Sequence, residues 1–368
     1  MIVLVLANSS SGLYQFRREL LQSLCNDNHL VYFSVPKGDF VTELSQMGCQ
    51  FIETEISRHG TNPITDFKLL AKYIKTIKTI KPDIVFTYTI KPNVYGGIAC
   101  QFCRIPYVSN VTGLGTAVER GGILQKITLA LYKIGLRKAK RVFFQNTENQ
   151  RFMVERKVVS KNYSLIPGSG VNLNHFTTLP YPSEDDGIHF VFISRIMREK
   201  GIDQYLDAAM FFASHPEASQ GRRIVFHICG DFEKEYKGQL EKFVAENVVF
   251  WHGVVKDVRE ILKKVHCTIH PSFYPEGISN VLLESCACAR PIITTDRSGC
   301  REVVDDGVNG YVVKQRDSED LIQKIEKFLS LTHEQKMRMG LAGRAKVEKE
   351  FDRKIVVNAY MKEMEALG

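Results

Sequence analysis

His189-Phe190-Val191-Phe192-Ile193, then Ser194-Arg195-Ile196-Met197-Arg198-Glu199-Lys200-Gly201, then a helical pattern over 203–214: this stretch decides the fold. A short apolar run bounded by turn signals reads as a strand buried on both faces. A polar loop and an amphipathic helix directly after it read as part of a parallel βαβ unit. The chain opens the same way, with 2–7, then Asn8-Ser9-Ser10-Ser11-Gly12, then a helical pattern over 14–25. Working outward, further strands are expected at 30–35, 50–53, 84–88, 107–110, 141–145 and 164–167, and again at 224–229, 248–251, 267–271 and 291–294. Helical patterns separate them at 66–80, 123–138, 234–246, 258–264 and 279–289. Such alternation predicts an α/β protein with doubly wound parallel sheets.

The 368 residues exceed what a single core usually organises, so two domains are expected. The best linker is 177–187, where two prolines, an acidic run and Gly187 precede a fresh buried strand. The expected domains are 1–176 and 188–350, and an amphipathic pattern over 353–367 could pack on either. With 44% hydrophobic and 24% charged residues, the composition excludes disorder and a collagen-like chain. A net charge of +8 suits a nucleotide, a phosphorylated ligand or an anionic membrane face without choosing among them. No apolar run is long enough for a membrane span, and the first six residues read as a strand rather than a signal sequence. Nine cysteines set in apolar runs suggest reduced thiols in a cytoplasmic protein. Cys100 and Cys103 have metal-like spacing but no second Cys/His pair, so no zinc site is expected.

In open parallel sheets, ligands sit beyond the carboxyl ends of strands, so the loops there carry the chemistry. The strongest is Pro271-Ser272-Phe273-Tyr274-Pro275-Glu276-Gly277-Ile278-Ser279-Asn280-Val281-Leu282-Leu283-Glu284. Gly277 allows close backbone approach, the helix start near Ser279 offers amides to an anion, and Glu284 could accept two sugar hydroxyls. A capped helix with a solvent-facing Glu284 is the plainer alternative. The basic loop after 189–193 suits a diphosphate, with Arg195 as a fork and Lys200 as a point charge. The 8–12 loop and Gly113-Leu114-Gly115 are weaker, each equally readable as a plain turn. No GxGxxG, P-loop or GxSxG pattern is present. His252 and His270 read as core histidines, and Trp251 as core. Residues 123–141 interleave six cations with leucines and isoleucines, which fits either membrane docking or a core-packed helix with a basic rim.

Taken together, these motifs resemble the retaining glycosyltransferases of family 4. The resemblance rests on Glu276 and Glu284 with seven residues between, on Arg195 with Lys200, on 166–176 and on 299–310. It covers essentially the whole chain and implies the GT-B fold, two Rossmann-like doubly wound domains facing each other across a cleft. Segments 87–93 and 111–115 are similar to the bacterial capsule and glycan-assembly branch, which includes an N-acetylgalactosaminyltransferase of protein N-glycosylation. The resemblance implies Glu276, Arg195 and Lys200 as catalytic. It implies donor contacts at Gly230, Gly253, Val254, Gly277, Ile278, Ser279, Asn280 and Glu284. Acceptor contacts would come from Ser11, Gly12, Tyr14, Lys91, Asn93, Gly113 and Gly115. It further implies a UDP-sugar donor, a lipid-linked (undecaprenyl-diphosphate) saccharide acceptor and work at the cytoplasmic membrane surface. No cofactor, metal or nucleic acid is implied. A UDP-N-acetylglucosamine 2-epimerase-like enzyme and a non-catalytic sugar-nucleotide-binding subunit are the alternatives. The chain departs from the family where relatives carry a histidine near Ile90-Lys91, and where two glycines replace Ser10-Ser11-Gly12. Both departures lie on the acceptor side.

Overall fold

A computed structural model describes residues 1–56, 62–119 and 121–367. The chain forms two compact units, one of Met1–Gly170 with Pro275–Gly277 and Arg353–Gly368, the other of Val171–Tyr274 with Ile278–Asp352.

The first unit holds a parallel sheet of β1 (Ile2–Leu6), β2 (Leu30–Val35), β3 (Gln50–Glu53), β4 (Ile84–Tyr88), β5 (Tyr107–Val111), β6 (Arg141–Phe144) and β7 (Tyr163–Leu165). Their order across the sheet is β3-β2-β1-β4-β5-β6-β7. Side chains of a strand alternate between faces, and both faces are covered, which is why β1 is apolar throughout. Val3 and Val5 enter a core with Phe33 and Phe86, whereas Leu4 and Leu6 enter a second core with Val85 and Tyr107. Helix Ser10–Asn26 covers the first of these faces, and helices Pro63–Ile80, Gly97–Cys103 and Gly122–Leu136 cover the second.

The terminal helix Arg353–Glu365 belongs to this unit. Its Tyr360 is fully buried, with ring centroids 4.9 Å from Phe86 and 5.0 Å from Phe143, and its hydroxyl accepts from Asn110 Nδ2 at 2.9 Å. Arg353 pairs with Glu19 at 2.6 Å. An aromatic anchor with a satisfied hydroxyl and a charged clamp outweighs the many polar residues on this helix.

The second unit holds β8 (Ile188–Ile193), β9 (Ile224–Cys229), β10 (Phe250–Trp251), β11 (Cys267–His270), β12 (Ile292–Thr295) and β13 (Gly310–Val313), in the order β10-β9-β8-β11-β12-β13. All of its strand pairs are parallel. β13 and the helices Ser318–Leu329 and His333–Glu350 add to the elements expected from sequence. The last helix is opened by a capping box between Thr332 and Gln335.

The expected linker 177–187 lies inside this second unit, and the division falls at Gly170 and Val171. Proline lacks a donor but keeps its carbonyl. Arg290, fully buried, donates to the carbonyls of Leu179, Pro180, Leu262, Cys288 and Ala289, stitching the segment to the domain. Lys336, also without exposed surface, pairs with Glu184 at 2.9 Å. Trp251, expected in the core, is 37% exposed, because β10 is a two-residue edge strand. Each sheet reverses its strand order once, between β1 and β4 and between β8 and β11. Those reversals are where ligands bind in doubly wound folds.

Candidate functional site

At the β8–β11 reversal the two strongest sequence motifs meet. The loop after β8 ends in a short turn, Arg198–Lys200, that leaves Lys200 only 7% exposed. Gly201 follows at φ +79°, and a Cβ there would stand 2.1 Å from the Pro271 carbonyl, so only glycine lets the two loops close. Phe273 N donates to Glu199 O at 2.9 Å, tying the loop after β11 to the basic loop. The Tyr274 ring then serves both cations, with the Arg195 guanidinium 5.6 Å and the Lys200 ammonium 4.8 Å from its centre. A ring face between two cations offsets their mutual repulsion and fixes their direction.

Beyond this loop, helix Asn280–Ala287 begins. Ser279 N is held by Gly299 O at 2.8 Å, and the turn at Gly299 is closed by Glu302, which accepts from Gly299 N at 2.7 Å and from Ser298 Oγ at 3.0 Å. Residues 299–302 are thus a buttress for the helix start. The Ser279 side chain contacts His270 Nε2 at 3.2 Å instead of capping the helix, which leaves its first amides to a ligand. Asn280 Oδ1 is buried with no hydrogen-bond partner, and Glu284 follows one turn on. Ile278 is 4% exposed and lies in the core, so only its backbone can serve a ligand. Gly230 and Gly253 lie together after β9 and β10, with Gly230 N donating to Gly253 O at 2.7 Å, while Val254 is largely exposed. An anion with a polyol attached fits these groups: cations and free amides for the one, a carboxylate for the other.

The β1–β4 reversal of the first unit carries the acceptor candidates, and it is built differently. Helix Ser10–Asn26 starts four residues earlier than its apolar pattern, because Ser9 caps it by accepting from Gly12 N at 3.3 Å. Ser11 and Gly12 therefore sit in its first turn, and Tyr14 stacks on Phe40 at 4.6 Å. Lys91 is paired with Asp66 at 2.7 Å, and Tyr95 donates to the same carboxylate at 2.8 Å. That pair lines a cavity of about 800 Å³ that also meets Glu53, Lys68 and Lys72. Asn93 is fully buried, accepting from Thr87 Oγ1 at 2.7 Å and donating to Asn110 O at 2.8 Å. Against the expectation of an acceptor contact, it locks β4 to β5. Gly113 lies against the backbone of Pro275 and Glu276, and Gly115 beside Ile90.

Sequence reasoning missed three residues. Tyr274 carries no signal of its own within the 271–284 stretch, and only the fold brings its ring to both cations. Thr89 has φ +70° with its hydroxyl buried and unpartnered, a strained conformation for a β-branched residue, directly at the end of β4. Asn146, a helix cap after β6, was signalled by the residue preference of caps alone.

Two family models match. One described as glycosyl transferase 4-like covers residues 2–146, and one described as glycosyl transferases group 1 covers 180–346. The N,N'-diacetylbacillosaminyl-diphospho-undecaprenol alpha-1,3-N-acetylgalactosaminyltransferase of Campylobacter jejuni is 24% identical over 97% of this chain and 96% of its own. The capsular polysaccharide biosynthesis glycosyltransferase CapM of Staphylococcus aureus is 23% identical over 98% and 97%. Among solved structures, Anabaena Alr3699/HepE in complex with UDP and glucose superposes with a TM-score of 0.78 at 19% identity, covering 100% of this chain and 99% of that one. One model on each half, relatives matched end to end and a shared architecture lead to one conclusion: the chain joins a glycosyl transferase 4-like domain to a glycosyl transferases group 1 domain and has the GT-B fold.

Proposed function

We propose that this glycosyltransferase is retaining and metal-independent, and that it moves a hexose or N-acetylhexosamine from a UDP-sugar to an undecaprenyl-diphosphate-linked saccharide. N-acetylgalactosamine is the preferred candidate, in keeping with the name of the Campylobacter jejuni relative. The observation that carries the reading is the β8–β11 reversal, where Arg195 and Lys200 share Tyr274 beside an uncapped helix start. There the donor diphosphate would meet both cations and the amides of Asn280 and Val281. Glu284 would hold the ribose hydroxyls, and Glu276 the hydroxyls of the transferred sugar.

The acceptor hydroxyl oxygen would bond to the anomeric carbon on the face that UDP leaves. The carbon–oxygen bond to the β-phosphate breaks, its electron pair stays on the diphosphate, and the hydroxyl proton passes to a diphosphate oxygen. UDP and a glycoside of unchanged anomeric configuration result. The rate gain would come from cations already aimed at the oxygen where charge grows. Arg195 and Lys200 supply that charge without a divalent ion, so EDTA should leave turnover largely intact. Full loss restored by manganese would contradict metal independence. A panel of UDP-sugars, each with and without lipid-linked acceptor, tests the reaction itself. UDP release that never depends on acceptor would sink it.

The first unit also carries a surface suited to a membrane-borne acceptor. Helix Gly122–Leu136 buries Thr128, Tyr132, Gly135 and Leu136 and turns Ile123 (78% exposed), Ile127 (52%) and Ile134 (53%) outward, among exposed Lys126, Lys133, Arg137 and Lys138. A helix packed on a sheet ordinarily buries its aliphatics. The additional isoleucine face left exposed among cations supports peripheral docking on an anionic leaflet. Among the described residues no helix is long and apolar enough to cross a membrane.

A further inference from the structure

Asn146 is 3% exposed and stands just beyond β6. Its Oδ1 accepts from Asn149 N at 2.8 Å and so caps helix Thr147–Glu155. Its Nδ2 donates to Gly277 O at 2.7 Å and to Glu276 O at 3.1 Å. An amide has two N–H bonds and one carbonyl oxygen, so this side chain is fully used: one end on the helix, the other on two consecutive carbonyls of the Glu276 loop. The opposite side of the loop is equally tight. A Cβ on Gly277 would stand 2.0 Å from Gln145 Oε1 and 2.7 Å from Thr112 O. Gln145 is itself tied to Asn110 at 3.3 Å, and Asn110 to Tyr360 at 2.9 Å.

The residue type is informative. A cap alone would be served about equally by Asp or Ser. A serine hydroxyl accepts and donates through one short-armed atom, whereas an amide separates the capping oxygen from two N–H donors, and those two donors are what reach residues 276 and 277. We infer that Asn146 is the positioning residue for Glu276: by fixing the two carbonyls it fixes the Glu276 backbone, and hence where its carboxylate meets the transferred sugar. The inference rests on the proposed role of Glu276. Misplacement of a reacting group by about 1 Å costs on the order of a hundredfold in rate.

The test uses the full chain with Asn146→Asp and Asn146→Ser, which keep a capping oxygen and lose the two amide N–H donors. The expected result is kcat lowered about ten- to a hundredfold with donor KM changed much less and the thermal midpoint close to wild type. Hydrogen exchange of the 272–282 segment should quicken, while that of 147–155 stays as in the wild type. Asn149→Ala, which removes only a long 3.5 Å bond to Glu276 O and leaves both Asn146 donors, should lower kcat far less than either Asn146 variant. Unchanged kcat per UDP-binding molecule, or a loss of kcat only in proportion to a fall in thermal midpoint, would overturn the inference. So would unchanged exchange at 272–282 in either variant, even if the wild type turned over no UDP-sugar. That last result in the wild type would count against the proposed function alone.

Discussion

The two strand-order reversals share a topology and differ in what became of their charges. At β8–β11, Arg195 and Lys200 both contact the Tyr274 ring, beside a helix whose first amides no side chain caps. At β1–β4, the lysine after β4, Lys91, is spent on Asp66, Asn93 is sealed in the core, and the helix start is capped by Ser9. Similar strand orders thus present one end where two cations share a ring beside free helix amides, and one end where the lysine after β4 is already ion-paired and Arg17 is buried over the Tyr88 ring. The donor would be recognised by charge, and the acceptor by shape, hydrogen bonding and delivery.

The comparison fails most visibly if the cations of the second unit are structural. Arg290 is the internal control, because it donates only to backbone carbonyls and its guanidinium is held down to about 10 by burial. Arg195→Ala and Lys200→Ala should lower turnover on the order of 10²–10³-fold with modest change in thermal midpoint. Arg290→Leu should do the reverse, lowering the midpoint steeply because five carbonyls lose their donor. Steady-state kinetics beside thermal denaturation separates the two patterns, and equal behaviour of all three variants would erase the distinction.

Delivery of the acceptor is the next largest effect. Cations near an anionic leaflet each contribute about 1 kcal/mol, so reversing Lys133, Arg137 and Lys138 to Glu should reduce vesicle binding at least tenfold. Turnover on a water-soluble acceptor should stay as it was. Co-sedimentation with anionic vesicles measures the first, and unaltered binding would remove helix Gly122–Leu136 as the docking surface.

A smaller effect is expected where the first reversal has neutralised its own charge. Lys91→Met removes an ammonium already paired at 2.7 Å, and it leaves Asp66 still accepting from Tyr95. Acceptor KM should rise a few-fold, with acceptor-independent donor hydrolysis unchanged. A hundredfold fall in kcat would put Lys91 on a par with Lys200 and end the contrast.

This contrast also explains what could be read from the sequence. The alternating pattern located most strands, and the donor motifs stood out because ligand-facing charge survives as a run of unusual residues, such as 195–200 and 276–284. The acceptor side carries no such trace. Asn93 and Lys91 look alike in sequence, as polar residues after a strand, yet one is buried between Thr87 and Asn110 and the other is ion-paired with a residue 25 positions earlier. Long-range partners of that kind are not encoded locally. Tyr274 and Asn146 were hidden for the same reason, since each acts on a segment far away in the chain.

The last and smallest effect concerns the other property the units do not share. The second unit carries a row of imidazoles: His189 Nδ1 meets His227 Nε2 at 2.9 Å, His227 Nδ1 meets His252 Nε2 at 2.9 Å, and His266 Nδ1 accepts from His189 N at 3.0 Å. Burial, then the neighbouring His189, His252 and Lys264, pushes His227 down to about 3, and burial chiefly lowers His266 to about 4. An exposed imidazole titrates near 6.5. Between about 6.5 and 4 the unfolded chain therefore binds protons that the native unit refuses, and stability rises with pH across that window. The contribution is complete above about 6.5 and is lost as the pH falls toward 4. Trp251, the only tryptophan, lies on β10 directly after Phe250, the residue paired with His227, and so reports on this unit. Its emission should reveal a thermal midpoint that drops between pH 7 and 5, and His227→Gln should flatten that dependence. If the midpoint is the same at both values, or the variant keeps the full slope, the histidine row is not what sets the acid limit of the second unit.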